Sequence, residues 1–246
     1  MIVCTDLAGA ELRVVSILAG DQPFLTKFRS GQSPHFDTAK ALFGRDIVKG
    51  TEEYRIAKAF IFRYIYTVPG AGINDEGGKL ALHKVGLSAA ALPMMIARVD
   101  RDHPALVAWK HKMINGLLAT CKVYDPFGAY RNMGWAVKSW DKSLQLHAKN
   151  ACLNFPIQSS IRWITNRAFV RIDKAIERWG WPTGEGLVLN EHDSLSIYCA
   201  PERVADASKI LKEGLEQPVP ELGGERMVAE VKVGETWGSV KPVEVE

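Results

Sequence analysis

The strand-like sequence of this chain lies mostly at its two ends, and that arrangement limits the fold more than any other feature. MIVCTD (1–6) is a short β-branched run closing on Asp6. GLVLNEHDSLSIYC (186–199) reads as two strands joined at Asn190–Asp193, and MVAEVKV (227–233) alternates as a last strand. Between them the apolar spacing is almost wholly helical. The order predicts an α+β chain in which a sheet domain is interrupted by a helical one.

The helical patterns run over 11–19, 22–29, 35–43, 51–66, 79–98 and 103–119, and a turn at Asp125-Pro126-Phe127-Gly128 is flanked by hairpin-like segments. The stretch 51–66 has the clearest start, with Thr51 as cap and Glu52 and Glu53 in the first turn. Pro69, Gly70 and Gly72 stop it. Pro156 is expected to open a long amphipathic helix over 157–179, with Ile161, Ile164, Ala168, Ile172, Ala175 and Trp179 as its apolar stripe. A helix follows Pro201. Repeats and low-complexity linkers are absent from the sequence.

Forty-seven per cent of the 246 residues are hydrophobic, enough for a sizeable core, yet no run is apolar enough to span a bilayer. There is no basic-then-apolar leader either, so the expectation is a soluble protein of the cytoplasm, bacterial or phage-infected, with no membrane partner. Cys4, Cys121, Cys152 and Cys199 show neither zinc spacing nor disulfide density and are expected to be reduced. Charge is unevenly spread. Residues 185–246 hold 13 acidic against 6 basic side chains, a net of −7 in a chain of net +3, so 1–184 carries +10. Seven Lys/Arg against two Asp fall in 104–149, a balance that suits a surface facing phosphates and equally a solvated basic face.

Asp6 at a strand end and Asp193 in a tight strand–turn–strand are the candidate metal ligands. Transfer of a nucleotidyl group uses two divalent cations roughly 4 Å apart, and magnesium takes a few carboxylates and keeps its waters. If the two strands are neighbours, both carboxylates converge on one edge. Taken singly, an ordinary helix cap for Asp6 and an ordinary hairpin residue for Asp193 are the stronger readings.

In the helix at 51–66, Lys58, Phe62 and Tyr66 recur at every fourth residue and share a face, with Arg55 on the same side. Cations in the first half and rings in the second suit a phosphate chain with a sugar or base beyond it, and a lysine there can also donate a proton. An amphipathic helix with core aromatics and snorkelling cations would show the same residues.

Three segments, in order, resemble DNA polymerase family A, the polymerase I-like enzymes. TDLAGAELRVVSILAGD (5–21) is similar to the family's first motif, YRIAKAFIFRYIYTVPG (54–70) to its fingers helix, and NEHDSLSIY (190–198) to its His-Asp turn. SPHFDTAKALFG (33–44) and NFPIQSS (154–160) resemble the His-containing stretch and the Asn-x-Pro-x-Gln opening of a palm helix, and CKVYDPFGAYRN (121–132) falls where the family has a Gly-Arg-rich turn. The resemblance implies an antiparallel palm sheet with packed helices (1–30 and 141–246), helical fingers (31–140), no thumb, and addition of dNTPs to a primer on template DNA.

It also implies roles for residues. Asp6 and Asp193, with the Leu7 carbonyl, would hold two Mg2+, with Mn2+ able to substitute. Glu11 would be the steric gate against a ribose 2′-OH. His35, Arg55 and Lys58 would grip the triphosphate, Lys58 as catalytic group; Phe62 would lie on the sugar and Tyr66 would close the pocket. Asn154, Gln158 and His192 would touch the primer–template, with the basic 104–149 region on its phosphates.

The chain departs from the family at Tyr54, where Arg is usual; at Arg63 and Thr67, where Gly is usual; at Ser194, where an acid is usual; and at Asn150, where a base is common. In the family a thumb and further palm strands precede the first motif. A first strand at Met1 without partners would leave an open sheet edge, so the expectation is a second polypeptide supplying thumb and upstream palm, with or without an exonuclease, or else a truncated or reduced form of the enzyme. A single-subunit RNA polymerase, which Glu11 disfavours, and a catalytically silent DNA-binding remnant are the competing functions.

Overall fold

The computed structural model describes residues 1–69 and 92–245, without the side chains of residues 41 and 42. The chain divides into two compact units, Met1–Ala10 with Gln158–Glu246, and Glu11–Ile157. The units divide at 10 and, inside a long helix, at 157.

The first unit is built on β1 (Ile2–Leu7). A hairpin of β4 (Gly186–Glu191) and β5 (Ser194–Tyr198), then β6 (Ala229–Gly234) and β7 (Lys241–Val243), complete an antiparallel sheet in the order β4-β5-β1-β6-β7. β1 is therefore a central strand, paired on one side with β5 and on the other with β6. The open edge expected from the sequence does not exist at this strand, because chain from the far end of the sequence covers both of its sides.

Alternation along β1 divides the sheet's faces. Val3, Thr5 and Leu7, with Leu195, Ile197 and Val231, are almost fully buried. Ile2, Cys4 and Asp6 point to the opposite face, where Cys4 and Asp6 are half-buried. α9 (Val204–Leu215) packs on β1 and β6. Its Gly214 permits a close approach, since a Cβ there would come within 2.7 Å of Ile172. Arg171 donates to the Gly214 carbonyl at 3.1 Å, and Arg167 forks onto Glu221 at 2.7 and 2.9 Å.

Ile172 belongs to α8, which is longer than expected. It runs from Lys142 to Arg178, with Pro156 inside it. Pro156 does not open the helix, although an interior proline typically costs about 3 kcal/mol. The reason is a continuous apolar stripe. Leu153 and Ile157 precede Ile161, Ile164, Ala168 and Ile172 at spacings of three and four, all buried, with Ala148 and Cys152 buried before them, so one buried face demands helix on both sides of the proline.

The second unit is mostly helical: α1 (Ala10–Ala19), α2 (Gln22–Arg29), α3 (Pro34–Phe43), α4 (Glu52–Tyr66), α5 (Leu92–Asp102) and α6 (Pro104–Thr120). The part of the expected 79–98 helix before Leu92 lies outside the described residues. α4 starts as its sequence predicts, the Thr51 hydroxyl accepting from the Tyr54 amide at 3.3 Å. A hairpin of β2 (Lys122–Tyr124) and β3 (Tyr130–Asn132) turns at Asp125, whose carboxylate accepts from the Phe127 and Ala129 amides. The short α7 (Gly134–Val137) follows, and Leu117, Val123, Met133, Ala136, Ala148 and Cys152 form the local core. Among the described residues no helix is long and apolar enough to cross a membrane.

Candidate active site

In the first unit the β1–β5 register sets Asp6 directly opposite Ser194, the residue after Asp193. The β4–β5 hairpin closes in two residues, His192 and Asp193, and His192 takes a left-handed φ of 52°. The hairpin is braced by the Ser194 hydroxyl, which donates to the Glu191 carbonyl at 2.8 Å. This turn returns Asp193 to the end of β1. Burial raises the pKa of Asp6 above its ordinary value, and the neighbouring Asp193 raises it further, by charge and through a shared side-chain hydrogen bond. The two carboxylates thus meet at the end of β1.

Two residues that the sequence reading missed stand beside them. Glu230 is Asp6's partner on β6 and raises its pKa further, whereas Lys232, two residues on along the same face, lowers it. MVAEVKV announces a strand, but only the pairing register reveals which residue its acid and lysine oppose. Leu7 ends β1, buried, opposite Ala229. The pair offers oxygen donors whose mutual repulsion a divalent cation would relieve. Among the described residues no group of three or more His, Cys, Asp or Glu side chains is placed to hold a metal.

On the same unit Gln158, Ile161, Arg162, Asn166, Asn190 and His192 line a cleft of about 390 Å³. It unites Gln158 and His192; Asn154 stands four residues before Gln158 in α8. Arg162, Asn166 and Asn190 were not anticipated, and Asn190 donates to Asn166 at 3.4 Å.

The second unit carries the nucleotide candidates. The core side of α4 is Tyr54, Ile56, Ala57, Phe60, Ile61, Tyr64 and Ile65. Arg55 and Lys58 are exposed, and Phe62 and Tyr66 are half-buried, so the shared face is the one turned away from the core. Lys58 Nζ lies 5.8 Å from the centre of the Phe62 ring. Arg55 pairs with Glu52 on its own helix. Tyr66 donates its hydroxyl to Glu11 Oε1 at 2.9 Å.

His35 is only 6% exposed, its ring 5.6 Å from that of Phe62 and 6.2 Å from that of Tyr54, and its Nδ1 is buried without a hydrogen-bond partner. Burial, helped by Lys58, lowers its pKa to about 4. The imidazole is therefore neutral at pH 7, and any hold it has on a phosphate is that of a neutral hydrogen bonder.

The departures acquire physical content. Tyr54 is core, its hydroxyl 3.3 Å from Ser33 Oγ, and so offers no phosphate contact. Thr67 is extended, with φ −100°, a conformation that needs no glycine. Asn150 accepts from the Val68 amide at 3.2 Å. The basic 104–149 region requires a correction: Lys110 is buried and contributes nothing to a basic surface.

The profile of DNA polymerase family A matches residues 1–239. The chain belongs to DNA polymerase family A. Among its relatives are the thermostable DNA polymerase I of Thermus filiformis, 25% identical over 98% of this chain and 27% of that protein, and the DNA polymerase of Mycobacterium phage D29, 28% identical over 69% of this chain and 25% of that protein. The chain spans about a quarter of the length of these relatives. In fold it resembles the POL domain of Pol1 from M. smegmatis, solved in complex with DNA primer-template and dNTP, with a TM-score of 0.80 at 19% identity over 96% of this chain and 40% of that one. The mixed sheet-and-helix unit and the helical unit are consistent with a family A palm and fingers.

Proposed function

We propose that this family A chain adds deoxynucleotides to a primer 3′ end on a DNA template, with Asp6 and Asp193 holding two Mg2+ ions and the Leu7 carbonyl as a further ligand. The observation that carries the reading is the meeting of Asp6 and Asp193 across the sheet, from opposite ends of the sequence. Bound magnesium would activate the primer hydroxyl and steady the triphosphate. The chain's own residues do the rest. Asp6 and Asp193 fix where that charge sits. Lys58 and Arg55, exposed on α4, supply positive charge to the triphosphate, and Lys58 a proton to the departing pyrophosphate. Phe62 offers a flat apolar surface to the sugar, and Glu11, held by Tyr66, occupies the space of a 2′-OH.

Gln158 and His192, lining one cleft, and Asn154 would contact the primer–template, with the exposed bases of 104–149 on its phosphates. A second polypeptide carrying a thumb is a further part of the reading. β1 gives no reason for it, being paired on both sides, and the test is whether adding such a chain raises processivity.

Primer extension on a defined template decides the main claim. Mg2+-dependent extension that falls at least about a thousand-fold in Asp6→Asn and Asp193→Asn, with DNA binding retained, supports it. Variants that extend as well as the wild type refute it.

A further inference from the structure

Among the described residues, the largest fully buried side chain is a lysine. Lys110, on α6, is 1% exposed. A lysine is hardly ever buried without partners, and this one has them at a single place, the C-terminal end of α4. Its amine donates to the Tyr64 carbonyl and, at 3.1 Å, to that of Thr67, and it lies 3.7 Å from the centre of the Tyr64 ring. The Tyr64 hydroxyl in turn donates to Asp100 at 2.5 Å. The last carbonyls of a helix have no partners within it, and a cation there also meets the negative end of the helix dipole.

One residue beyond Thr67, a second helix takes hold of the same stretch. Asn150, on α8, accepts from the Val68 amide. Donors and acceptors from two separate helices thus fix the backbone from Tyr64 to Val68. Between them stands Tyr66, whose hydroxyl reaches Glu11. Burial lowers the Lys110 pKa to about 7, opposed by Asp100. A neutral amine still has two N–H donors, so both carbonyl bonds are available in either state.

We infer that Lys110 and Asn150 are positioning residues for sugar selection: they clamp the end of α4 so that Tyr66 stays hydrogen-bonded to Glu11 and keeps that carboxylate in place against a ribose 2′-OH. The inference rests on the proposed polymerase function and adds to it two residues that touch no substrate. The physical reason is leverage. Tyr66 is the last residue of its helix, where an unheld turn frays. A side chain on a fraying turn cannot keep a 2.9 Å bond to another helix.

The test compares kcat/KM for a dNTP and the matching rNTP in the full-length wild type, in Lys110→Met, which keeps length and loses the donors, and in Asn150→Ala. Both variants should lower the dNTP-over-rNTP ratio by about ten-fold, the size expected when coupled hydrogen bonds are broken. In a Glu11→Ala background the same substitutions should leave the ratio unchanged, because the group they position is gone. A purely structural role would slow both sugars equally. Should Lys110→Met fail to fold, Asn150→Ala carries the same comparison. Extension by the wild type with an unaltered ratio in the variants overturns the inference alone; a wild type that extends no primer overturns the polymerase reading and the inference with it.

Discussion

Tyr66 and Glu11 are joined by a 2.9 Å hydrogen bond between the last residue of α4 and the first turn of α1. A carboxylate free to rotate excludes little, whereas one held by a phenol has a fixed shape. The bond therefore gives an acidic side chain a fixed shape, and under the proposed function it would make sugar discrimination a property of two residues 55 positions apart in the chain.

Tyr66→Phe is expected to lower the dNTP-over-rNTP preference by about ten-fold, the value of one hydrogen bond to a charged group, and Glu11→Ala by at least as much. Single-nucleotide incorporation kinetics with both sugars measure this. An unchanged preference in Glu11→Ala would remove Glu11 from the gate.

Asp193→Asn should stabilise the fold at neutral pH while abolishing extension. Asp6's pKa is raised, so its neutral form is the one the folded state favours. That contribution is full at low pH and is lost as pH rises through the raised value. Removing the Asp193 charge removes part of the cost. Thermal denaturation should show a higher Tm for the variant without metal. Added Mg2+ should raise the Tm of the wild type more than that of the variant, and chelator should reverse the gain.

His35 gives acid sensitivity of the opposite kind. Its folded pKa of about 4 lies below the ordinary 6.5, so its contribution is fully present above pH 6.5 and declines as pH falls from there toward 4. The loss amounts to at most about 3.5 kcal/mol at about 1.4 kcal/mol per pKa unit. Urea denaturation at pH 7 and pH 4.5 should show a smaller pH dependence in His35→Phe than in the wild type.

Gly214→Ala should destabilise the first unit by about 1–3 kcal/mol, because its methyl would meet Ile172 at 2.7 Å. Ile172→Val in the same chain should recover part of the loss. A Gly214→Ala protein as stable as the wild type would mean that α8 and α9 can separate without cost.

Phe62→Tyr offers a hydroxyl where a dideoxynucleotide lacks one, and should ease dideoxynucleotide incorporation relative to dNTP. Competitive incorporation assays read this directly, and unchanged discrimination would remove Phe62 from the sugar.

Much of this protein is local and was legible in the chain itself. Thr51 caps α4 because its own hydroxyl reaches an amide three residues on. The helical face of Arg55, Lys58, Phe62 and Tyr66 follows from 3.6 residues per turn, and the turn at Asn190–Asp193 from its short polar residues. Pro156 departs from its local expectation for the complementary reason: the rule against an interior proline is real, but its cost of about 3 kcal/mol is outweighed by burial of a stripe extending on both sides.

What only the tertiary structure decided is pairing. Alternation says which residues of β1 share a face, but not that β5 and β6 flank it, nor that Asp6 therefore stands between Ser194 and Glu230. Composition counts Lys110 among the surface bases, yet it lies in the core holding the end of α4. In each case the deciding interaction joins residues far apart in sequence, and nothing in the local chain encodes which distant backbone group will be brought within hydrogen-bonding reach.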